Sequence, residues 1–244
     1  MQQQQEAQLV LAACAGLANP SNAITYKQAT DTLEALKDSP NALQTCSYVL
    51  DNTSDGSVQF HIANVVKEVV IRHFSSFNVS DLVALRGYLM DYMLTRCREG
   101  GGQNLDVNNA TIKKLAHTIV VLVKRCWLDA SIQEDRARYF VNLEALRRSG
   151  DLFNKHIALN ILDQMLGEFS SEASAFGLPW DFHSSCRRTF EETELPRLFH
   201  MVMEALHEYI GSPALLNQKA ELTCARRCVA IAVKILKWEF VSSK

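Results

Sequence analysis

Residues 57–74 read SVQFHIANVVKEVVIRHF. The apolar members, Val58, Phe60, Ile62, Ala63, Val65, Val66, Val69, Val70 and Phe74, take up most of a helical wheel. They leave one narrow polar stripe of His61, Asn64, Glu68 and Arg72. A helix that is apolar around most of its girth has to be covered on several sides, unlike a surface helix with one buried face. Stacked helix pairs supply that cover. The partner helix packs behind, the units before and after pack at the flanks, and one stripe stays open.

The same i, i+3/4, i+7 stripe recurs along the chain. It returns as Lys114, His117, Val121 and Lys124, as His156, Asn160, Asp163 and Gly167, and as Thr223, Arg227, Ala230 and Lys234. Caps and periodicity together predict helices near 3–18, 22–37, 40–51, 57–74, 79–98, 106–128, 132–148, 152–171, 181–191, 194–210 and 214–240. The connections are short except around Gly100-Gly101-Gly102 and over 170–180. Short connections make successive helices antiparallel neighbours, and the pairs begin near 3, 40, 79, 132 and 181. That spacing is close to the roughly 40–47 residues of a HEAT or armadillo unit. The expected fold is all-α, an α-solenoid of antiparallel HEAT-repeat helix pairs. Its five units are 1–38, 39–76, 77–130, 131–178 and 179–244.

Composition points the same way. Ten Gly and five Pro are few for 244 residues, which suits helices and starves an all-β fold of turn residues. The prolines at 20, 40, 179, 196 and 213 punctuate helix starts, with Ser39-Pro40 and Ser212-Pro213 read as N-cap and first helical residue and Thr193 with Pro196 as another start. A 48% hydrophobic content supplies a core. The formal charge of −2 argues against a polyelectrolyte partner such as nucleic acid. Basic pairs at Lys124-Arg125, Arg147-Arg148, Arg187-Arg188 and Arg226-Arg227 sit near helix ends. There cations favour the macrodipole, and most read as solvated ends, a minority as partners for acidic patches on another protein. The apolar run 119–123 falls far short of the roughly 20 residues that cross a bilayer, so no membrane span is expected. Leu11-Ala12-Ala13-Cys14 has the form of a lipoprotein signal tetrad, but Gln2 to Gln5 and Glu6 before it supply no positive region. Seven cysteines, odd in number and without a C-x-x-C pair, suit a reducing compartment.

Candidate chemistry is thin. His183-Ser184-Ser185-Cys186 places a base type beside a nucleophile type without a visible oxyanion element. Cys224 and Cys228, with His200 and His207 one helix earlier, supply four soft ligands that read better as buried helix contacts than as a metal site. The triple glycine follows a helix rather than a strand and lacks the residues of a phosphate cradle. No catalytic residue, cofactor or metal is assigned, and the chain is not expected to be an enzyme. The stripes carry the functional reading. Aligned across a solenoid they form a concave surface for a large partner; alternatively, each is the solvated edge of a well-packed helix.

Residues 121–130, VLVKRCWLDA, resemble the V-K-R-G-W/S-L-D segment of exportins in the importin-β superfamily, with Cys126 where that family usually has Gly. Gly177-Leu178, Phe182-His183, Cys186-Arg187-Arg188, Phe190-Glu191-Glu192, Leu195 and Phe199 are similar to an exportin segment at the same spacings. So are Gly150, Ala158, Ile161-Leu162, Leu166 and Glu168-Phe169-Ser170-Ser171 before it, and Phe60, Ala63, Glu68, Val70 and Arg72 upstream. The resemblance runs over nearly the whole chain and corresponds to the N-terminal part of a much longer receptor.

The resemblance implies a nuclear transport receptor that shuttles between nucleus and cytoplasm. Its implied partners are Ran in its GTP form, protein cargo such as translation initiation factor 5A and Smad3, and nuclear pore proteins on the outer face. It puts Ran on the second helices of the first repeats, which singles out His61, Asn64 and Glu68, with Lys114, His117 and Lys124 beside them. His156, Asn160, Arg227 and Lys234 extend the set toward Ran or cargo. A HEAT or armadillo scaffold indifferent to Ran is the alternative, and a small helical enzyme using the Cys/His cluster as a metal site is a third.

Overall fold

The computed structural model describes residues 2–18, 21–99, 109–171 and 178–241. Gly177 and Gly100 to Gly102 lie outside them, as does the expected start of a helix at 106. Eleven α-helices are present among the described residues, without a strand. They are α1 (Gln2–Leu17), α2 (Ala23–Lys37), α3 (Ala42–Asp51), α4 (Gly56–Arg72), α5 (Val79–Glu99) and α6 (Asn109–Arg125), followed by α7 (Gln133–Arg148), α8 (Leu152–Phe169), α9 (Trp180–Thr193), α10 (Leu195–Gly211) and α11 (Lys219–Leu236).

The helices form two layers. An inner row runs α2, α4, α6, α8, α11, each packed on the next. An outer row of α1, α3, α5, α7 and α10 backs it, giving the pairs α1/α2, α3/α4, α5/α6, α7/α8 and α10/α11. This is an all-α solenoid of antiparallel HEAT-type pairs. The girth of α4 is accounted for by its neighbours: α3 lies behind it, α2 and α6 flank it, and Ile62, Ala63, Val65, Val66, Val69 and Val70 are buried among them.

Side chains of both layers tie successive units together. In the outer row Thr45 on α3 donates to Glu6 on α1 at 3.1 Å, and Tyr88 on α5 donates to Asp51 on α3 at 3.0 Å. Arg86 on α5 meets Asp135 on α7 at 2.5 Å, and Arg147 on α7 meets Glu204 and Glu208 on α10, each at 3.1 Å. Arg147 therefore departs from the expectation of a solvated helix end. It is buried, because α10 packs over the end of α7 and presents two carboxylates to it.

Three helix ends differ from the sequence reading. Ser39-Pro40 does not start α3; Asn41 is its N-cap and Pro40 lies in the turn before it. Ser212-Pro213 opens a 3-10 turn, Pro213–Asn217, and α11 begins only at Lys219. α11 also ends at Leu236 rather than near 240, because the chain beyond it folds back on α9. There the Trp238 indole donates to Glu191 at 2.8 Å, and the Val241 amide donates to the same carboxylate at 3.0 Å.

α9 is an extra helix that packs on α8 and α10 and closes an aromatic core. Trp127, 1% exposed, meets Phe140, Phe169 and Phe190 edge-on at centroid separations of 4.7–6.2 Å. Its indole N–H is satisfied by the Thr189 hydroxyl at 2.7 Å, as a buried Trp requires.

Candidate functional site

The stripe residues occupy the seams between inner helices, and each seam has its own chemistry. Between α2 and α4, Lys37 bridges Glu34 and Glu68, both at 2.5 Å. Arg72 reaches Glu34 at 2.9 Å, and Asn64 donates to Glu68 at 2.9 Å. Burial works against ionisation of Glu68, but the Lys37 ammonium and Asn64 outweigh it and hold the carboxyl below the usual range. Glu68 is thus a rung between units, and its side chain stays 30% exposed. His61 and Asn64 remain partly open on the same helix, and burial lowers the His61 pKa so that the neutral ring is favoured.

Between α4 and α6 the Lys114 ammonium lies 5.5 Å from the centre of the Phe60 ring. Burial, and then the charge of Lys67, depress the Lys114 pKa. Lys114 is partly exposed.

The α6–α8 seam is closed by a triad of Lys124, Glu168 and His117, of which only Lys124 is fully buried. Lys124, 0% exposed, donates to the Glu168 carboxylate at 3.0 Å and to the Glu168 backbone carbonyl at 2.5 Å. His117 contacts the other carboxylate oxygen at 3.2 Å. Desolvation opposes the Glu168 charge, yet the His117 and Lys124 contacts hold its carboxyl below the ordinary value of 4.5. The ammonium also satisfies a carbonyl at the end of α8, where the macrodipole favours a cation.

Lys124 is therefore not on the open face. The sequence stripe gave its angular position, but α8 closes over it. His156 and Asn160 are corrected in the same way: both are 2% exposed, with α6 and α11 at the flanks of α8, α7 behind it and α5 reaching it. Asn160 donates within its helix to the His156 carbonyl at 2.9 Å. In the last seam, Lys234 on α11 is exposed and meets Asp163 on α8 at 2.5 Å, while Arg227 is half-buried. The predicted residues that stay at least partly exposed are thus His61, Asn64, Glu68, Lys114, the edge of His117, Arg227 and Lys234. Sequence periodicity did not flag Glu168 or Lys37, since each acts across a seam, Glu168 beside the stripe of α8 and Lys37 at the end of α2.

The other candidate chemistry does not assemble. His183 and Cys186 are buried on α9, and burial pushes the Cys186 thiol up to about 12, far from a thiolate nucleophile. Cys224 and Cys228 are buried, whereas His200 and His207 are exposed on α10, so the four do not converge. Among the described residues no group of three or more His, Cys, Asp or Glu could hold a metal ion, and no helix is long and apolar enough to cross a membrane.

Comparison with known proteins joins this geometry to a family. The sequence profile of the family described as Exportin-4 matches residues 1–244, the whole chain. The chain belongs to the exportin-4 family. A curated relative, exportin-4 of Dictyostelium discoideum, is 24% identical to it over 94% of the chain. The chain spans 21% of that relative's length. Membership in the exportin-4 family accords with the two-layered stack, in which Trp127, Cys186 and Phe190 are core residues.

Proposed function

We propose that this chain is a partner-binding region of a nuclear transport receptor, and that its inner helices take part in binding Ran in the GTP form. The observation that carries the reading is an inner row of helices on which His61, Asn64, Lys114, Arg227 and Lys234 stay at least partly exposed, in a chain whose whole length matches the exportin-4 family. His61, Asn64 and Lys114 form the first part of the contact surface, with His117, Arg227 and Lys234 further along it. Glu68 contributes by holding α2 against α4. Cargo of the translation initiation factor 5A and Smad3 kind and nuclear pore proteins bind the longer receptor, which shuttles between nucleus and cytoplasm.

The chemistry is recognition without turnover. Each unit contacts its neighbours, so small shifts at each seam add up to a change in curvature. A partner that binds one curvature more tightly than another shifts the population toward it, and two such partners favour each other. Polar stripe residues supply specificity more than affinity.

The test is binding of the 244-residue chain to Ran loaded with GTP or with GDP, measured by calorimetry. The reading expects selective binding of the GTP form and weaker binding by a His61→Ala, Asn64→Ala variant. Equal affinity for the two forms, or binding to neither, contradicts it.

A further inference from the structure

Three of the four inner seams answer their cation with a carboxylate from the facing helix. Lys37 meets Glu68, Lys124 meets Glu168, and Lys234 meets Asp163. The α4–α6 seam differs. Its cation, Lys114, faces the Phe60 ring instead of an acid. Lys67 lies two helical turns beyond Phe60 on the same side of α4. Lys113, exposed, precedes Lys114 on α6. Among the described residues, no carboxylate lies within ion-pair range of any of the three. Burial and the Lys67 charge make the Lys114 ammonium harder to hold and outweigh the opposing pull of Glu68, so an incoming anion relieves a repulsion already present.

We propose that the α4–α6 seam is the seat of an acidic segment of a protein partner, whose carboxylates bridge Lys67 and Lys114 and extend to Lys113. The proposal deepens the receptor reading by naming the chemistry of what the inner face holds, and it rests on that reading for the partner's being a transport partner. Charge complementarity selects the occupant: every other inner seam pairs its cation directly with a carboxylate, whereas here Lys114 feels only the more distant charge of Glu68, which is paired with Lys37. A nucleic acid fits less well, because the chain as a whole carries a formal charge of −2 and the cluster spans two helices only.

The probe is a fluorescein-labelled octaglutamate peptide, titrated with the 244-residue chain at low and at physiological salt. The proposal expects saturable binding that weakens with salt and falls about tenfold in Lys67→Gln, Lys114→Gln. Lys67→Gln alone, at a partly exposed position, is expected to give part of that loss without disturbing the fold, and Lys237→Gln on the far end to give none. Absence of saturable peptide binding, equal affinity in wild type and double variant, or preference for an octanucleotide over the peptide overturns the proposal. Ran binding by the same proteins separates the two readings. Peptide capture at the seam without any response to Ran sinks the receptor assignment and leaves the seam in place, whereas selective Ran-GTP binding without peptide capture does the reverse.

Discussion

Lys124→Met removes the ammonium of the α6–α8 seam while keeping an apolar stem of similar length. The wild-type side chain is 0% exposed and makes two hydrogen bonds, to the carboxylate and to the carbonyl of Glu168. Breaking a buried ion pair by deleting one partner costs about 3–5 kcal/mol, chiefly because the other charge is stranded. Glu168 is not fully stranded here. Its side chain is 15% exposed, and His117 remains at 3.2 Å. The expected cost is therefore at the lower end, about 2–4 kcal/mol. For a chain of this size that lowers the melting midpoint by roughly 4–16 °C. Circular dichroism at 222 nm during thermal and urea unfolding reads it. Glu168→Gln in the same background should recover part of the loss, with a coupling of at least about 1 kcal/mol in the double-mutant cycle. A Lys124→Met protein within about 0.5 kcal/mol of wild type, or two costs that simply add, would refute the argument that this pair locks α6 to α8.

Two further outcomes follow from the same seams and core. Glu168, Glu68 and Glu34 have folded pKa values held below the ordinary 4.5, so their contribution to stability is complete above that value and is lost as the pH falls through the lower folded values. The acid limb of a stability-against-pH curve should therefore steepen below about pH 4.5 and flatten in Glu168→Gln; an unchanged limb in that variant removes Glu168 from the explanation. All seven cysteines are buried, and burial raises Cys46 and Cys228 to about 12. A thiol-disulfide dye at neutral pH should label the native chain slowly and all seven sites in denaturant; rapid labelling of several native thiols would show that the helix pairs open more readily than their packing implies.

Much of the fold is written in local pattern. The near-complete apolar girth of 57–74 demands cover on several sides, and the inner position of α4 supplies it. Periodicity places residues on a face of a helix but does not say how far the next helix leans over that face. Lys124, His156 and Asn160 share the angular position of open residues, yet α8 closes over the first and is itself enclosed around the other two. Lys and Asn are tolerated inside only because each finds a carbonyl or carboxylate, and such partners come from distant parts of the chain: 44 residues separate Lys124 from Glu168. The early end of α11 is of the same kind, set by Glu191 drawing Trp238 back. Arg147 looked like a helix-end cation until α10 supplied its two acids.

The most direct test of the account is a hydrogen-exchange footprint of Ran loaded with a non-hydrolysable GTP analogue on this chain. The account predicts added protection on the inner helices α4 and α6, around His61, Asn64 and Lys114, with the outer helices α5 and α7 unchanged. Protection confined to α5 and α7, with α4 and α6 exchanging as in the free chain, would contradict it.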